Sequence, residues 1–491
     1  MSAAPSPSVL PVDGQWRRLS PLSPVVRGGA ALLGVLVVLP NLVANGVDPR
    51  RAGDRIVAGI VAAALLCLSV VGAVVSWLVT RWRIAGGNLQ IETGLVRRQS
   101  FRVPLTRIQA VDVVAPLTAR LVGVAEVRIV SAGRGQDRAR LAYVRSDEAH
   151  AIRSQLLALA HGLTAETPEP PAYPLLQVPG GRLAGSLALR SATLIPLLAV
   201  VGLLWATTAS PGGAARALEF SFGSLVAALA LHVVAVAQAF NADFDFRISE
   251  APDGFRLDRG MLQTRHETIP FGRIQAVRLV EPLLWRPLGW CRLDVDVARQ
   301  RVSRRADQGA HIVSRTLLPV APREQVLWLL ARVTPHAQPS PPPGSRVPRR
   351  AWVKAPLSRH LLAAWHDERY LCARTGRLTA ATVVLPLAKL QSLRLSSGPL
   401  QRALGLATLR GVSAGQRWAA LAHCRDAQEA GAWLWTLIDR ARAARRAPSP
   451  WRDLQAGVAT ASVESGDRPQ PHREEGLHDD GRQPVRDPRL H

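Results

Sequence analysis

Cys67, Cys291, Cys372 and Cys424 are the side chains best suited to hold a metal or carry redox chemistry, but they lie far apart and form no C-x-x-C pair. A zinc site or a disulfide framework would need different spacing, so the four read as small buried residues, Cys67 within an apolar run. His266 and Glu267 are adjacent. Acid–base work would need a second convergent group beside them, and without one they read as surface residues. His232 and Gln238 lie in an apolar stretch, where polar groups can mark a proton or substrate path. Neither is charged at rest, and an interhelical contact accounts for both. The chain has no H-E-x-x-H, no G-x-S-x-G and no Walker-type phosphate loop. No catalytic, cofactor-binding or metal-binding residues are therefore assigned, no cofactor is expected, and the chain reads as a non-enzyme.

The elements around these residues come from the distribution of charge and apolar residues. The 491 residues carry 61 Lys plus Arg against 36 Asp plus Glu, a formal charge of +25, and the only lysines are Lys354 and Lys389. Four stretches lack any Asp, Glu, Lys or Arg: Gly28–Val47, Ile56–Val79, Ser191–Ser210 and Phe220–Phe240. A hydrocarbon core takes about 20 helical residues to cross, so the expectation is four transmembrane helices in two pairs. Arg17, Arg18, Arg27, Arg81, Arg83, Arg97, Arg98, Arg182, Arg190, Arg247, Arg256 and Arg259 flank one side. Arg50, Arg51, Arg55 and Arg216 occupy the two short loops on the other. The positive-inside rule then predicts a multi-pass protein of the bacterial plasma membrane with both termini cytoplasmic. Arginines beside membrane segments also account for the basic charge without nucleic acid, which is not expected as a partner.

The remaining sequence repeats. Gly94 and Pro104, Gly260 and Pro270, and Gly376 and Pro386 share one spacing; Gln109, Gln275 and Gln391 follow each Pro by five residues; Gly123, Gly289 and Gly405 follow each Gln by fourteen. Identical offsets in three places mark a tandem repeat. Short strands are expected at Leu89–Glu92, Arg102–Val103 and Val127–Val130, and in the second copy at Phe255–Leu257, Thr268–Ile269 and Leu293–Val297. Leu293, Val295 and Val297 alternate with Asp294 and Asp296, as in a half-buried strand. The glycines at 94, 260 and 376 stand where hairpins turn. Each copy ends in a predicted helix: Asp147–Ala160, Pro322–Val333 and Asp426–Arg446. The Arg-Ile-Gln segment invites a ligand reading, but its flanking Pro and aliphatic residues favour a structural role for Gln109 and Gln275.

The core Val103-Pro104-Leu105-Thr106-Arg107-Ile108-Gln109-Ala110-Val111 recurs as Ile269-Pro270-Phe271-Gly272-Arg273-Ile274-Gln275-Ala276-Val277, and more loosely as Leu385-Pro386-Leu387-Ala388-Lys389-Leu390-Gln391. With the paired apolar stretches and Leu121, Gly123 and Ala125 downstream, the sequence resembles the bacterial membrane proteins with pleckstrin-homology-like domains of the second bacterial type. That is the YdbT-like and YdbS-like group, once called domain of unknown function 304. The resemblance implies an α+β membrane protein with three PH-like sandwich or barrel domains, each capped by a C-terminal helix. The expected order is an N-terminal cytoplasmic segment (1–24), a helix pair (25–80), a first domain (81–165), a linker (166–186), a second helix pair (187–240) and a second domain (241–333). A Pro/Arg-rich exposed spacer (334–350), a third domain (351–446) and a disordered tail (447–491) complete it. The expected function is a membrane-anchored scaffold whose domains bind protein partners or inner-leaflet lipid headgroups, a small membrane protein of the same family being the first candidate partner. The alternative is an accessory subunit of a transport or export complex.

Overall fold

The computed structural model describes residues 14–24, 26, 52–94, 99–131, 140–160, 172–190, 230, 232–252, 254–297, 315–356, 358–415 and 418–447. Each repeat builds a first sheet, a second sheet and a closing helix. In the first unit, helix α1 (Ala52–Val79) leads into β2 (Arg81–Ala85), β3 (Asn88–Thr93) and β4 (Gln99–Pro104), with β1 (Arg17–Arg18) added beside β2. The second sheet holds β5 (Ile108–Ala115), β6 (Val124–Ser131) and β7 (Arg140–Arg145); α2 (Leu117–Leu121) links β5 to β6, and α3 (Ser146–Ala160) closes the unit. The second unit has β8 (Tyr173–Gln177), α4 (Gly180–Ala188), β9 (Arg247–Ala251), β10 (Gly254–Arg259) and β11 (Thr264–Ile269). It continues with β12 (Ile274–Pro282), β13 (Trp290–Val297), β14 (Arg315–Pro322) and α5 (Arg323–Val333). The third has β15 (Ala363–His366), β16 (Tyr370–Thr375) and β17 (Thr379–Pro386). Its second half is β18 (Leu390–Ser396), α6 (Pro399–Ala403), β19 (Leu406–Ser413), β20 (Ala419–Asp426) and α7 (Ala427–Arg446).

The repeated residues set the turns of this unit. Gly260 has φ +110°, and a Cβ there would lie 1.9 Å from the Gln263 carbonyl oxygen, so only glycine fits the hairpin. Each conserved-offset Pro enters a 3-10 turn: Leu105–Arg107, Phe271–Arg273 and Leu387–Lys389. The next strand then skips one residue in its pairing, between Ile108 and Ala110, Ile274 and Ala276, and Leu390 and Ser392. The skipped residue is the Gln of the motif in all three units, so it sits in a β-bulge that bends the strand over the core. The last glycine of the motif gives its carbonyl to the first N–H of the closing helix: Gly123 to Ser146, Gly289 to Arg323 and Gly405 to Ala427. The PxxRIQ element is thus a folding device, and its Gln is structural.

Each core lies between a unit's two sheets and under its helix. Leu89 and Ile91 meet Val127 and Ile129, with Ile152 and Leu156 of α3 above. Phe255 and Leu257 meet Leu293 and Val295 under Val326 and Leu330. Leu371 and Leu385 meet Leu409 under Leu437.

The units are not separate beads. The second sheet of one unit runs on into the first sheet of the next. A seven-stranded sheet has the order β7-β6-β5-β11-β10-β9-β8, and a six-stranded sheet has the order β14-β13-β12-β17-β16-β15. The seams are β5 with β11 and β12 with β17, both antiparallel.

The structure corrects the membrane architecture, the multi-pass localisation and the transmembrane assignment. Among the described residues no helix is long and apolar enough to cross a membrane. Gly28–Val47, Ser191–Ser210, most of Phe220–Phe240 and the tail after Pro448 lie outside the described residues. Ile56–Val79 falls in α1. Several of the arginines counted for that orientation also have partners within the fold. Arg81 and Arg83 stack on Trp16, Arg81 also binds Glu92, Arg247 binds Asp245, and Arg259 binds Asp243 and Glu267. The α+β character and the three sheet-and-helix units stand.

The segment 334–350 is not an exposed spacer. It is a strap over the third unit: Tyr370 donates to the Pro335 carbonyl (3.0 Å), Trp365 to that of Gln338 (2.9 Å) and Arg425 to that of Ser345 (2.6 Å). Val347 is buried against Leu362 and Leu406. A fragment Val347–Arg446 loses most of this strap and leaves β17 without β12. It is expected to melt at lower temperature than the same unit in the full chain and to self-associate. Sedimentation and heat melting check this; a monomeric fragment with the full-chain transition contradicts it.

Candidate binding site

The two seams share one register. Ala115 faces Thr264 in the first and Glu281 faces Ala380 in the second. Ala115 and Glu281 both lie six residues after the bulge Gln, and Thr264 and Ala380 both lie six residues before the Pro. The chemistry at this shared position differs. In the second seam pairing runs from Val277 with Val384 to Pro282 with Thr379. Glu281 there is buried and binds Arg323 of α5 and, at 3.1 Å, Arg374 of β16; the Cys291 thiol lies 3.6 Å from the same carboxylate. Burial pushes the Cys291 thiol up to about 11, so it stays protonated at neutral pH.

The first seam is shorter. Main-chain pairing covers only Ala115–Thr264, Val114–Arg265 and Val113–His266. Beyond that, the Asp112 carboxylate accepts the Thr268 N–H (3.2 Å), and Arg153 of α3 donates to the Thr268 hydroxyl (3.2 Å). Where the second seam holds Glu281, the first has the small Ala115, and a cavity of about 140 Å3 opens. Arg120 of α2, Ser146 and His150 of α3, and Thr264 and His266 of β11 line it. The His150 and His266 rings meet edge to face with centroids 5.4 Å apart. Asp258 of β10 sits behind His266, 2.6 Å from its Nδ1. Burial pushes the Asp258 carboxyl up, but the hydrogen bond and charge of His266, with Arg153 and Arg247 further off, outweigh it and hold the carboxyl below its usual range. Two units are needed to make this cavity, and its ring of imidazoles and guanidinium suits an anionic group.

The seam ends also gather exposed apolar side chains. Arg120 of α2, which lines the cavity, donates to the Met261 carbonyl (2.8 Å); Leu117 and Leu121 of α2 and Met261 and Leu262 across the seam are all exposed, Leu121 by 78%. At the second seam the Leu283 N–H donates to Leu378 (2.7 Å), and Leu283, Leu284, Leu288 and Leu378 form the equivalent patch.

His266 and Glu267 are not simple surface residues. His266 is paired with Asp258, and Glu267 binds Arg259, whose side chain is almost fully buried. Burial drives Arg259 down, and Glu267 and Asp243 more than reverse it, so its pKa is raised. Neighbours in sequence pointed to opposite faces of β11, and nothing local revealed their partners. Cys291, Cys372 and Cys424 are buried, whereas Cys67 is exposed, against expectation. Among the described residues no three His, Cys, Asp or Glu side chains converge as metal ligands.

This is a tandem array of small sheet-and-helix sandwiches fused edge to edge. The family model described as bacterial PH domain matches three times, over residues 31–160, 192–333 and 351–442. The chain belongs to the bacterial PH domain family. A comparison with curated proteins found no match.

Proposed function

We propose that the chain is a non-enzymatic binding scaffold that docks an acidic protein partner along its seams. The supporting observation is the equivalent apolar patch at the end of each seam, Leu117, Leu121, Met261 and Leu262 at the first and Leu283, Leu284, Leu288 and Leu378 at the second. Contiguous exposed apolar side chains on a folded surface are characteristic of interaction sites. The formal charge of +25 and the basic cavity at the first patch favour a partner that supplies carboxylates around its apolar anchors. Continuous sheets through the seams hold the two patches at a fixed spacing, so a partner reaching both would gain from avidity.

The test is affinity capture from the source cells with the full chain and with the Leu121→Asp/Met261→Asp variant. An acidic protein bound by the parent chain should lose about tenfold or more in affinity for the variant, since a buried apolar anchor contributes at least ~1.4 kcal/mol. The variant's melting curve should be unchanged, because both side chains are exposed. Equal capture by both chains would refute the docking site.

A further inference from the structure

Among the described residues two strand edges are unpaired and have the same form as the internal seams. Strand β18 of the third unit is the counterpart of β5 and β12, the strands that carry the next unit. Among the described residues no strand pairs with its outer side, and β18 is the edge of a three-stranded sheet. Strand β4 of the first unit is the counterpart of β11 and β17, the strands that receive the previous unit. It is the edge of its own four-stranded sheet. Arg394, Leu395 and Ser396 of β18 are exposed, as are Gln99 and Ser100 of β4. Leu395 is 38% exposed, whereas its counterparts Val113 of β5 and Leu279 of β12, on strands that are paired at the seams, are buried.

We propose that β18 of one chain pairs antiparallel with β4 of a second copy, so that chains join head to tail by a third seam of the kind already present twice within each. The argument for a second copy, rather than an unrelated strand, is continuity of register. Val280 faces Ala381, Leu279 faces Thr382 and Arg278 faces Val383 in the second seam. The repeat offsets carry these pairs onto Ser396 with Gln99, Leu395 with Ser100 and Arg394 with Phe101. Arg394 then lies opposite an aromatic ring, a favourable cross-strand pair. Neither β18 nor the first five residues of β4 contain the Pro or Lys that commonly protects an edge. The contact is heterologous, so each addition leaves a new β4 and a new β18 at the ends and the assembly grows unless it closes into a ring.

The test uses the full chain with exposed Cys67 replaced by Ser; the remaining cysteines are buried. Chains carrying Ser396→Cys and chains carrying Gln99→Cys are mixed and mildly oxidised. The expected result is a disulfide-linked pair that forms only in the mixture. Ser396→Cys mixed with Arg102→Cys should give about tenfold less, because a three-residue offset moves the thiols about 10 Å apart, beyond disulfide reach. A Leu395→Lys chain should sediment as a single chain at concentrations where the parent chain associates. Absence of the in-register crosslink between folded chains would overturn the proposal. So would equal yields in both registers, or a parent chain that stays single at every concentration. A crosslink that appears only after removal of residues 448–491 would also overturn it, because the edge would then belong to the chain's own tail.

Discussion

Replacing Ile274 by Asp is expected to unfold the second unit, at a cost of about 5 kcal/mol or more from the lost aliphatic side chain and the buried carboxyl together. Ile274 is fully buried, the first residue of β12 after the 3-10 turn, and it packs in the core with Phe255, Phe271 and Val277. The substituted carboxyl would have no cation in reach within that cluster, so it would be protonated on folding or would exclude the fold. Strand β12 also forms the second seam, so the damage should reach the third unit, whose core includes Ala276. Ile108→Asp should be milder, since that side chain is slightly less buried and the first seam is shorter. Heat melting followed by circular dichroism checks both. An Ile274→Asp chain that melts with the parent would show that this side chain does not face the core.

The repeat was legible because its anchors act locally. A glycine at positive φ, a proline entering a 3-10 turn and a bulge residue one turn later are backbone requirements, and they appear in sequence as fixed offsets. The closing helices were legible for the same kind of reason: Asp426 caps α7 by accepting the N–H groups of Gln428 and Glu429. The seams were not legible. Any strand edge offers the same N–H and C=O groups, and which edge meets which is decided by how units stack. Asp294 and Asp296 show how the alternation misled: the pattern sent them to solvent, but both are buried, Asp294 beside Arg292 at 2.6 Å. The arginines misled in the same way. Counted as flanks of apolar runs they suggested a membrane orientation, whereas Arg259 is buried against Asp243 and Glu267 inside the second unit. The cavity of the first seam needed both units in place before Arg120, His150 and His266 could be seen together.

Glu281→Ala should loosen the second seam by about 3 kcal/mol, the lower part of the range for removing one member of a buried ion pair. The lower part applies because Arg323 is 41% exposed and keeps water when its partner is lost, while Arg374, at 23%, does not. Glu281 joins four elements, β12 and β13 with α5 on one side of the seam and β16 on the other. Its removal leaves two guanidiniums facing each other across the space the carboxylate filled. The first seam already shows the other solution: at the equivalent Ala115 there is no acid, and the position of Arg374 is taken by Asp258, which binds His266 instead. If the cost comes from stranded charge rather than lost packing, removing Arg374 as well should recover part of it. The Glu281→Ala/Arg374→Ala chain is therefore expected to be more stable than the sum of the two single changes, by about 1 kcal/mol or more. Denaturant unfolding of the four chains in this cycle measures the coupling. A Glu281→Ala chain within about 0.5 kcal/mol of the parent, or strictly additive changes, would show that the seam is held by its main-chain pairs and apolar contacts alone.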